Sequence, residues 1–137
     1  MHKLFTVTSL IVALSLTAFA GKRERDLVTN EVAPAVKNAE AKFAGACGCP
    51  LAITVDEDTL KSMDELRQAK YMAGYISDGA PKYCTDAASK KAMCQLKAVI
   101  FTKAPKAEFT FKAGKGILTT TGQQNANWEM ITRVLDK

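Results

Sequence analysis

Four cysteines are the residues of this 137-residue chain whose type and spacing could carry chemistry. They are Cys47, Cys49, Cys84 and Cys94. Such a set can form structural disulfides, exchange thiols with a redox partner, or bind zinc or Cu(I) as thiolates. The Cys-Gly-Cys segment follows a predicted helix, whereas a reactive thiolate is stabilised at a helix N-terminus. We therefore expect two structural disulfides and keep redox cycling and metal binding as alternatives.

Backbone geometry constrains how these cysteines can pair. Cys47 and Cys49 would lie about 6–7 Å apart on an extended segment, which is near the outer limit for a disulfide. Cys84 and Cys94 flank a short predicted helix, and its rise of about 1.5 Å per residue places them too far apart to bond. We therefore expect each cysteine of the first pair to bond to one of the second pair, with both crossed connectivities open.

Histidine chemistry is excluded for the exported chain, because the only histidine, His2, lies in a predicted signal peptide. Without imidazole the chain cannot build a Ser-His-Asp or Cys-His centre, a His-ligated zinc site or a histidine general base. The remaining residues form no recognisable catalytic motif. The sequence therefore favours a non-catalytic protein without a cofactor or a resident metal.

An acidic cluster surrounds the start of the longest predicted helix. Its members are Asp56, Glu57, Asp58, Asp64 and Glu65. Paired carboxylates can serve a glycosidase or bind calcium, but this cluster lacks the EF-hand pattern. Acidic residues are favoured at a helix N-terminus by the helix dipole, and Ser62 with Glu65 can form a capping box. We interpret the cluster as helix capping.

Two tyrosines are candidates for an interaction surface. Tyr71 and Tyr75 lie four residues apart in the longest predicted helix and therefore share a face. That face lies to the side of the apolar stripe of the helix. Tyrosine is enriched at protein interfaces, so the pair could contact a partner, or it could widen the buried stripe.

The first 20 residues have the three-part pattern of a secretory signal peptide. Lys3 supplies the positive start, residues 4–19 form an apolar run, and Ala18-Phe19-Ala20 is a small-x-small cleavage site. The run is shorter than the roughly 20 apolar residues of a spanning helix, and no second such run follows. We predict cleavage after Ala20 and a secreted or periplasmic, soluble chain without a membrane span.

The charge of the exported chain does not indicate nucleic-acid binding. Lys3 is the only one of the 19 basic residues in the predicted signal peptide, which holds none of the 14 acidic residues, so the net charge falls from +5 to +4. The basic residues are scattered, with no run of five or six like charges. We expect no nucleic-acid partner, and adhesion to an anionic envelope surface is more plausible.

Apolar spacing predicts the elements that position these residues. Residues 26–44 form a helix that is kinked or divided at Pro34 and ended by Gly45. Residues 51–55 form a short buried strand. The longest helix follows and ends by Asp78-Gly79-Ala80-Pro81, and a short helix capped by Thr85 or Asp86 runs to Met93.

Alternating apolar residues then predict three consecutive strands, residues 96–103, 108–112 and 117–121. Gly114-Lys115-Gly116 is interpreted as a hairpin turn, because it lacks the P-loop pattern of an anion-binding loop. A last helix, capped by Asn125 or Asn127, carries Trp128 in its buried stripe. Residues 21–137 are therefore predicted to form one α+β domain crosslinked by disulfides. The predicted order is a kinked N-terminal helix, a short strand, a long helix, a short helix, a three-stranded antiparallel meander and a C-terminal helix.

Elimination of other chemistries points to a function class. We expect a small exported, non-catalytic protein that binds a macromolecular partner, either a protein or an envelope component. One alternative is a cysteine-based redox or thiolate metal-binding protein. Another is a small-ligand carrier with a pocket between helices and sheet.

Overall fold

A computed structural model describes residues 21–137. The predicted signal peptide, residues 1–20, lies outside the described residues, and its cleavage after Ala20 stays a prediction. Within residues 21–137, no helix has both the length and the hydropathy needed to cross a membrane.

The described residues form five α-helices, one π-helical turn and four strands. In chain order they are α1 (Lys22–Leu27), the π turn (Val28–Val32), α2 (Ala33–Cys47), β1 (Ala52–Val55), α3 (Met63–Tyr83), α4 (Ala87–Met93), β2 (Ala98–Lys103), β3 (Phe109–Lys112), β4 (Lys115–Thr120) and α5 (Trp128–Leu135). The predicted mixture of helices and strands is confirmed.

The first helical segment is continuous from α1 to α2 and changes its hydrogen-bond register just before Pro34. The N–H of Ala33 donates to the carbonyl of Val28, five residues back. Proline has no N–H and is tolerated in the first turn of a helix, and Pro34 lies in the first turn of α2. The predicted stop at Gly45 is wrong: the helix ends at Cys47, where Gly48 has a φ of 82° and caps it in the left-handed conformation.

Helix α3 begins at Met63, after Leu60 of the predicted stripe and at the later of the two starts that the sequence allowed, and it ends later than predicted. Ser62 and Glu65 form the expected capping box. The expected end at residues 78–81 is wrong, because the helix continues through Gly79 and Pro81 to Tyr83. Ala80 is fully buried on this last turn, so packing outweighs the weak helix propensity of glycine and proline. Asp86 and Asn127 cap α4 and α5, and each was one of the two predicted capping residues.

The four strands form one mixed sheet in the order β1-β2-β4-β3. β1 pairs with β2 in parallel, β2 with β4 in parallel, and β4 with β3 in antiparallel orientation. The predicted three-stranded antiparallel meander is therefore wrong, because β4 lies between β2 and β3 and β1 adds a fourth strand. Only the hairpin of β3 and β4 has the expected pairing.

The connection between β2 and β3 explains this order. The hydroxyl of Thr119 on β4 donates to the Lys106 carbonyl at 2.6 Å and accepts the Glu108 N–H at 2.8 Å. These bonds hold residues 104–108 against the end of β4, so that β3 starts on the far side of that strand. The hairpin turn itself is Ala113-Gly114, with φ of 52° and 83°, one residue earlier than expected.

The two disulfides are Cys47–Cys84 and Cys49–Cys94. Both are crossed pairings, as expected, and the structure selects one of the two open connectivities. Because Gly48 turns the chain, Cys47 reaches the end of α3 while Cys49 reaches the end of α4. The bridges close loops of 37 and 45 residues, for which the chain-entropy model gives about 4 kcal/mol each.

Candidate functional site

The predicted tyrosine pair lies on the exposed side of α3. Tyr71 is 48% and Tyr75 38% exposed, so these side chains do not widen the buried stripe. Tyr75 also lines a shallow depression beside Trp128 of α5. Contact of this surface with a partner stays a prediction.

The acidic cluster serves the structure of the loop and helix around it. Partial burial raises the pKa of Asp56, but hydrogen bonds from Thr102, Asp58 and Thr59 outweigh it and leave the pKa below its usual value. The Thr102 hydroxyl donates to Asp56 at 2.8 Å. Glu65 caps α3 as described. The capping interpretation therefore holds for Asp64 and Glu65, which lie in the first turn of α3, whereas Asp56 is bonded to its own loop and to β2.

A concave surface lies between the first helical segment and β1. We call this surface the β1 groove. It has a volume of about 380 Å³. Its apolar lining consists of Val28, Val32, Ala33, Val36, Ile53 and Val55, and its charged lining residues are Lys37, Glu40 and Glu57.

The helical side of the groove follows from the spacing of three valines. Val28, Val32 and Val36 are four residues apart and therefore share one face of the helical segment. Val32 is buried, whereas Val28 and Val36 are only half-buried. The π turn forms the N-terminal part of this wall. Single π turns inside α-helices occur frequently at functional sites.

The strand side of the groove is the free edge of the sheet. The N–H groups of Ala52 and Asp56 donate toward β2, to the carbonyls of Lys97 and Phe101. Because strand backbone groups alternate in direction, the N–H and C=O of Ile53 and Val55 point away from β2. No strand among residues 21–137 pairs with this edge.

One side chain reaches the free edge. Glu40 on α2 accepts the Ile53 N–H through Oε2 at 2.8 Å. The C=O of Ile53 and both backbone groups of Val55 have no hydrogen-bond partner among the described residues. The arrangement can therefore accept an extended backbone beside β1, with apolar side chains entering the groove.

Sequence reasoning did not find this groove. The valines were part of the expected apolar stripe, and 51–55 was expected to be a buried strand. In the structure Ala52 and Thr54 are exposed, as in an edge strand. The alternation of small residues at 52 and 54 with larger aliphatic residues at 53 and 55 was the available signal, but it does not reveal which strands are neighbours.

The cysteines were the other residues with predicted chemistry. All four cysteines are disulfide-bonded, so the oxidised protein offers no thiolate for metal binding. Among residues 21–137, no group of three or more acidic or cysteine side chains is arranged to hold a metal ion.

The chain was compared with protein families, curated proteins and solved structures. No protein-family model matches the chain, and no curated protein or solved structure matches it significantly.

Proposed function

We propose that this protein is an exported, non-catalytic binding protein that holds an extended peptide segment of a macromolecular partner in the β1 groove. The observation that carries this proposal is the unpaired edge of β1 beside an apolar channel. Recognition by strand addition uses these two features together, because backbone hydrogen bonds give affinity and pockets for alternate side chains give specificity.

The bound segment would pair with Ile53 and Val55. Its N–H groups would donate to the carbonyls of these residues, and one of its carbonyls would accept the Val55 N–H. Because side chains alternate along a strand, every second side chain would point toward Val32 and Val36. We therefore expect a preference for aliphatic residues at alternate positions.

Glu40 would limit the pairing, because its carboxylate competes with an added strand for the Ile53 N–H. Glu40→Ala would free this donor, whereas Glu40→Gln keeps an oxygen that can accept it. We expect Glu40→Ala to bind an added strand several-fold more tightly than Glu40→Gln.

Export and crosslinking are consistent with this role. Disulfides form and persist in oxidising compartments, and the sequence predicts a cleaved signal peptide. The bridges anchor Cys47 and Cys49, which lie on the connector between the two walls of the groove, and a fixed connector would lower the ordering cost of binding.

A small-ligand carrier is a second candidate. The groove volume of about 380 Å³ lies within the range of about 300–1,000 Å³ that holds small ligands. Native mass spectrometry of protein purified from its own compartment separates the two: a retained small molecule favours the carrier.

Selection from a displayed library of random seven-residue peptides tests the proposed function. We expect the oxidised protein to enrich peptides with alternating aliphatic residues, and Val36→Lys to lose them by at least tenfold, because it places a charge in the groove. Asn38→Lys is the matched control, since Asn38 is exposed on another side of α2 and does not line the groove.

Chemical modification of an enriched peptide separates strand addition from simple hydrophobic contact. Methylation of the peptide's backbone nitrogens that face β1 removes hydrogen-bond donors from the peptide and keeps the peptide's side chains. We expect this to abolish binding. Failure to enrich any peptide over Val36→Lys, or undiminished binding of the methylated peptide, would contradict the proposal.

A further inference from the structure

The second face of the sheet is left uncovered by the helices. Val99, Phe101 and Leu118 are buried on the face that packs against the helices. The opposite face presents Thr54, Ile100, Ile117, Thr110, Lys112 and Lys115. We call this surface the open sheet face. Residues 104–108 bury only Thr119 at one end of it.

The net charge of the described residues is carried by the segment that forms most of the sheet, in which Lys103 is paired with Glu65 of α3. Residues 97–115 contain five lysines and one acidic residue, Glu108. The rest of residues 21–137 contains 13 basic and 13 acidic residues. The whole net charge of +4 is therefore carried by β2, β3, β4 and their connections.

Three of these lysines meet at the hairpin end of the sheet. Lys112 and Lys115 are direct partners in the pairing of β3 with β4. The side chain of Lys97 lies against Gly114 in the turn between them. Among the described residues, none of the three forms an ion pair. Like charges directly opposite in a sheet are destabilising, so the fold gains nothing from this cluster.

An apolar centre adjoins the lysines. Ile117 is 42% exposed and is one of three large hydrophobic side chains exposed on residues 21–137. Its partner across the sheet is Ile100, which is half-buried. Both lie in the same shallow depression as Lys112 and Lys115. The open sheet face is thus flat, with isoleucines beside a cluster of unpaired positive charges.

We propose that the open sheet face binds the surface of an anionic lipid membrane. Lysines near such a surface are attracted to its phosphates, and an exposed isoleucine can enter the interface between headgroups and acyl chains. A flat sheet face can lie on an extended surface. Single-stranded nucleic acid fits less well, because its bases stack on aromatic side chains, and Phe109 and Phe111 point to the other face, as register partners of Leu118 and Gly116.

The open sheet face meets the β1 groove only at Thr54, and its lysines and isoleucines lie outside the groove. Neither Lys112, Lys115 nor Ile117 lines the groove, so the two proposals can fail independently. If the open sheet face does not bind membranes, the proposed binding of peptides in the β1 groove, which depends on Val36, is unaffected.

Flotation with vesicles tests the proposal. The oxidised protein would be mixed with vesicles of phosphatidylcholine containing 30% phosphatidylglycerol, and with vesicles of phosphatidylcholine alone. We expect binding only to the anionic vesicles, with its loss in 0.5 M NaCl through screening. Each lysine near the surface contributes about fivefold to the partition coefficient, so Lys112→Gln/Lys115→Gln is expected to lower it by about 25-fold.

Lys90→Gln/Lys91→Gln is the matched control, because it removes the same charge from exposed positions on α4, away from the sheet. We expect it to change binding by less than twofold. Ile117→Val keeps a β-branched residue and removes one apolar carbon, and we expect about fourfold weaker binding.

Three results would overturn the proposal. One is no binding to the anionic vesicles. Another is an equal loss for the two lysine pairs, which would indicate a response to net charge alone. The third is tighter binding to a single-stranded oligonucleotide than to vesicles of equal charge concentration, which would assign the face to a nucleic acid.

Discussion

Glu65 connects the start of α3 to the end of β2. Its carboxylate accepts the N–H groups of Lys61 and Ser62 at 2.9 and 3.0 Å and pairs with Lys103 at 2.6 Å. The hydrogen bond from Lys103, followed by that from Ser62, lowers the pKa of Glu65 to about 2. One side chain therefore joins a helix cap to the sheet.

This shift predicts a loss of stability in acid. A carboxyl with a depressed folded pKa contributes fully above its unfolded value of 4.5, and the contribution disappears as the pH falls toward 2. Lys103 is 43% exposed, and screening reduces the effect to about 1–2 kcal/mol. We expect Glu65→Gln to flatten the difference in urea unfolding free energy between pH 5 and pH 2.5.

Asp64→Asn is the control for this experiment. Asp64 is 85% exposed in its pair with Arg67, so its removal should leave the slope with pH unchanged. An unaltered slope in Glu65→Gln would contradict the assignment.

Local signals made several residue roles predictable. The capping box at Ser62 and Glu65 depends on residues three apart, and the crossed cysteine pairing follows from short-range distances. The choice between the two crossed connectivities depends on Gly48, whose turn separates Cys47 from Cys49. The β1 groove could not be predicted, because the backbone N–H and C=O of Val55 are free only when no strand pairs with the outer edge of β1.

At the scale of elements, α3 shows how a glycine can be required by packing rather than by conformation. Gly79 lies in the helix against the indole of Trp128 on α5, and a Cβ atom there would overlap the ring. Gly74, five residues earlier, has open space around the corresponding position. The two glycines have the same backbone conformation and different surroundings.

Alanine substitution at these positions should have opposite effects. In an open helix position, alanine is more favourable than glycine by about 1 kcal/mol, so Gly74→Ala should stabilise the protein by about that amount. Gly79→Ala should destabilise it by about 1–3 kcal/mol, because Trp128 must move. Urea unfolding of both variants measures this, and stabilisation by Gly79→Ala would show that the two helices do not pack closely.

Helices were predictable to within a few residues, whereas the strand order was not. The apolar stripe of α3 and the alternation of β2 and β3 each arise within one segment. The position of β4 beside β2 depends on Thr119 holding the loop at Lys106 and Glu108, which are contacts between segments. A meander was the simplest arrangement of three consecutive strands, and those contacts exclude it.

At the scale of the whole molecule, the two disulfides join the helical elements to one another. Cys47–Cys84 connects α2 to α3, and Cys49–Cys94 connects the segment before β1 to the end of α4. Neither involves β2, β3, β4 or α5. These three strands and the last helix therefore depend on packing and hydrogen bonds alone.

Removal of either bridge should cost a similar amount, because the loops have similar lengths. We expect Cys47→Ser/Cys84→Ser and Cys49→Ser/Cys94→Ser each to lower the free energy of unfolding by about 3–4 kcal/mol, measured by urea denaturation. A loss confined to one pair would mean that the other bridge constrains an already compact unfolded chain.

The placement of both bridges within residues 47–94 also has a kinetic consequence. A chain that enters an oxidising compartment with its N-terminus leading presents all four cysteines before any residue of β2 emerges. Oxidation can then finish while the C-terminal third is still in transit, and the three later strands assemble on a helical frame whose covalent connectivity is already settled. Errors in cysteine pairing and errors in strand order would thus arise at different times, and an isomerase would need access only to the first of these stages.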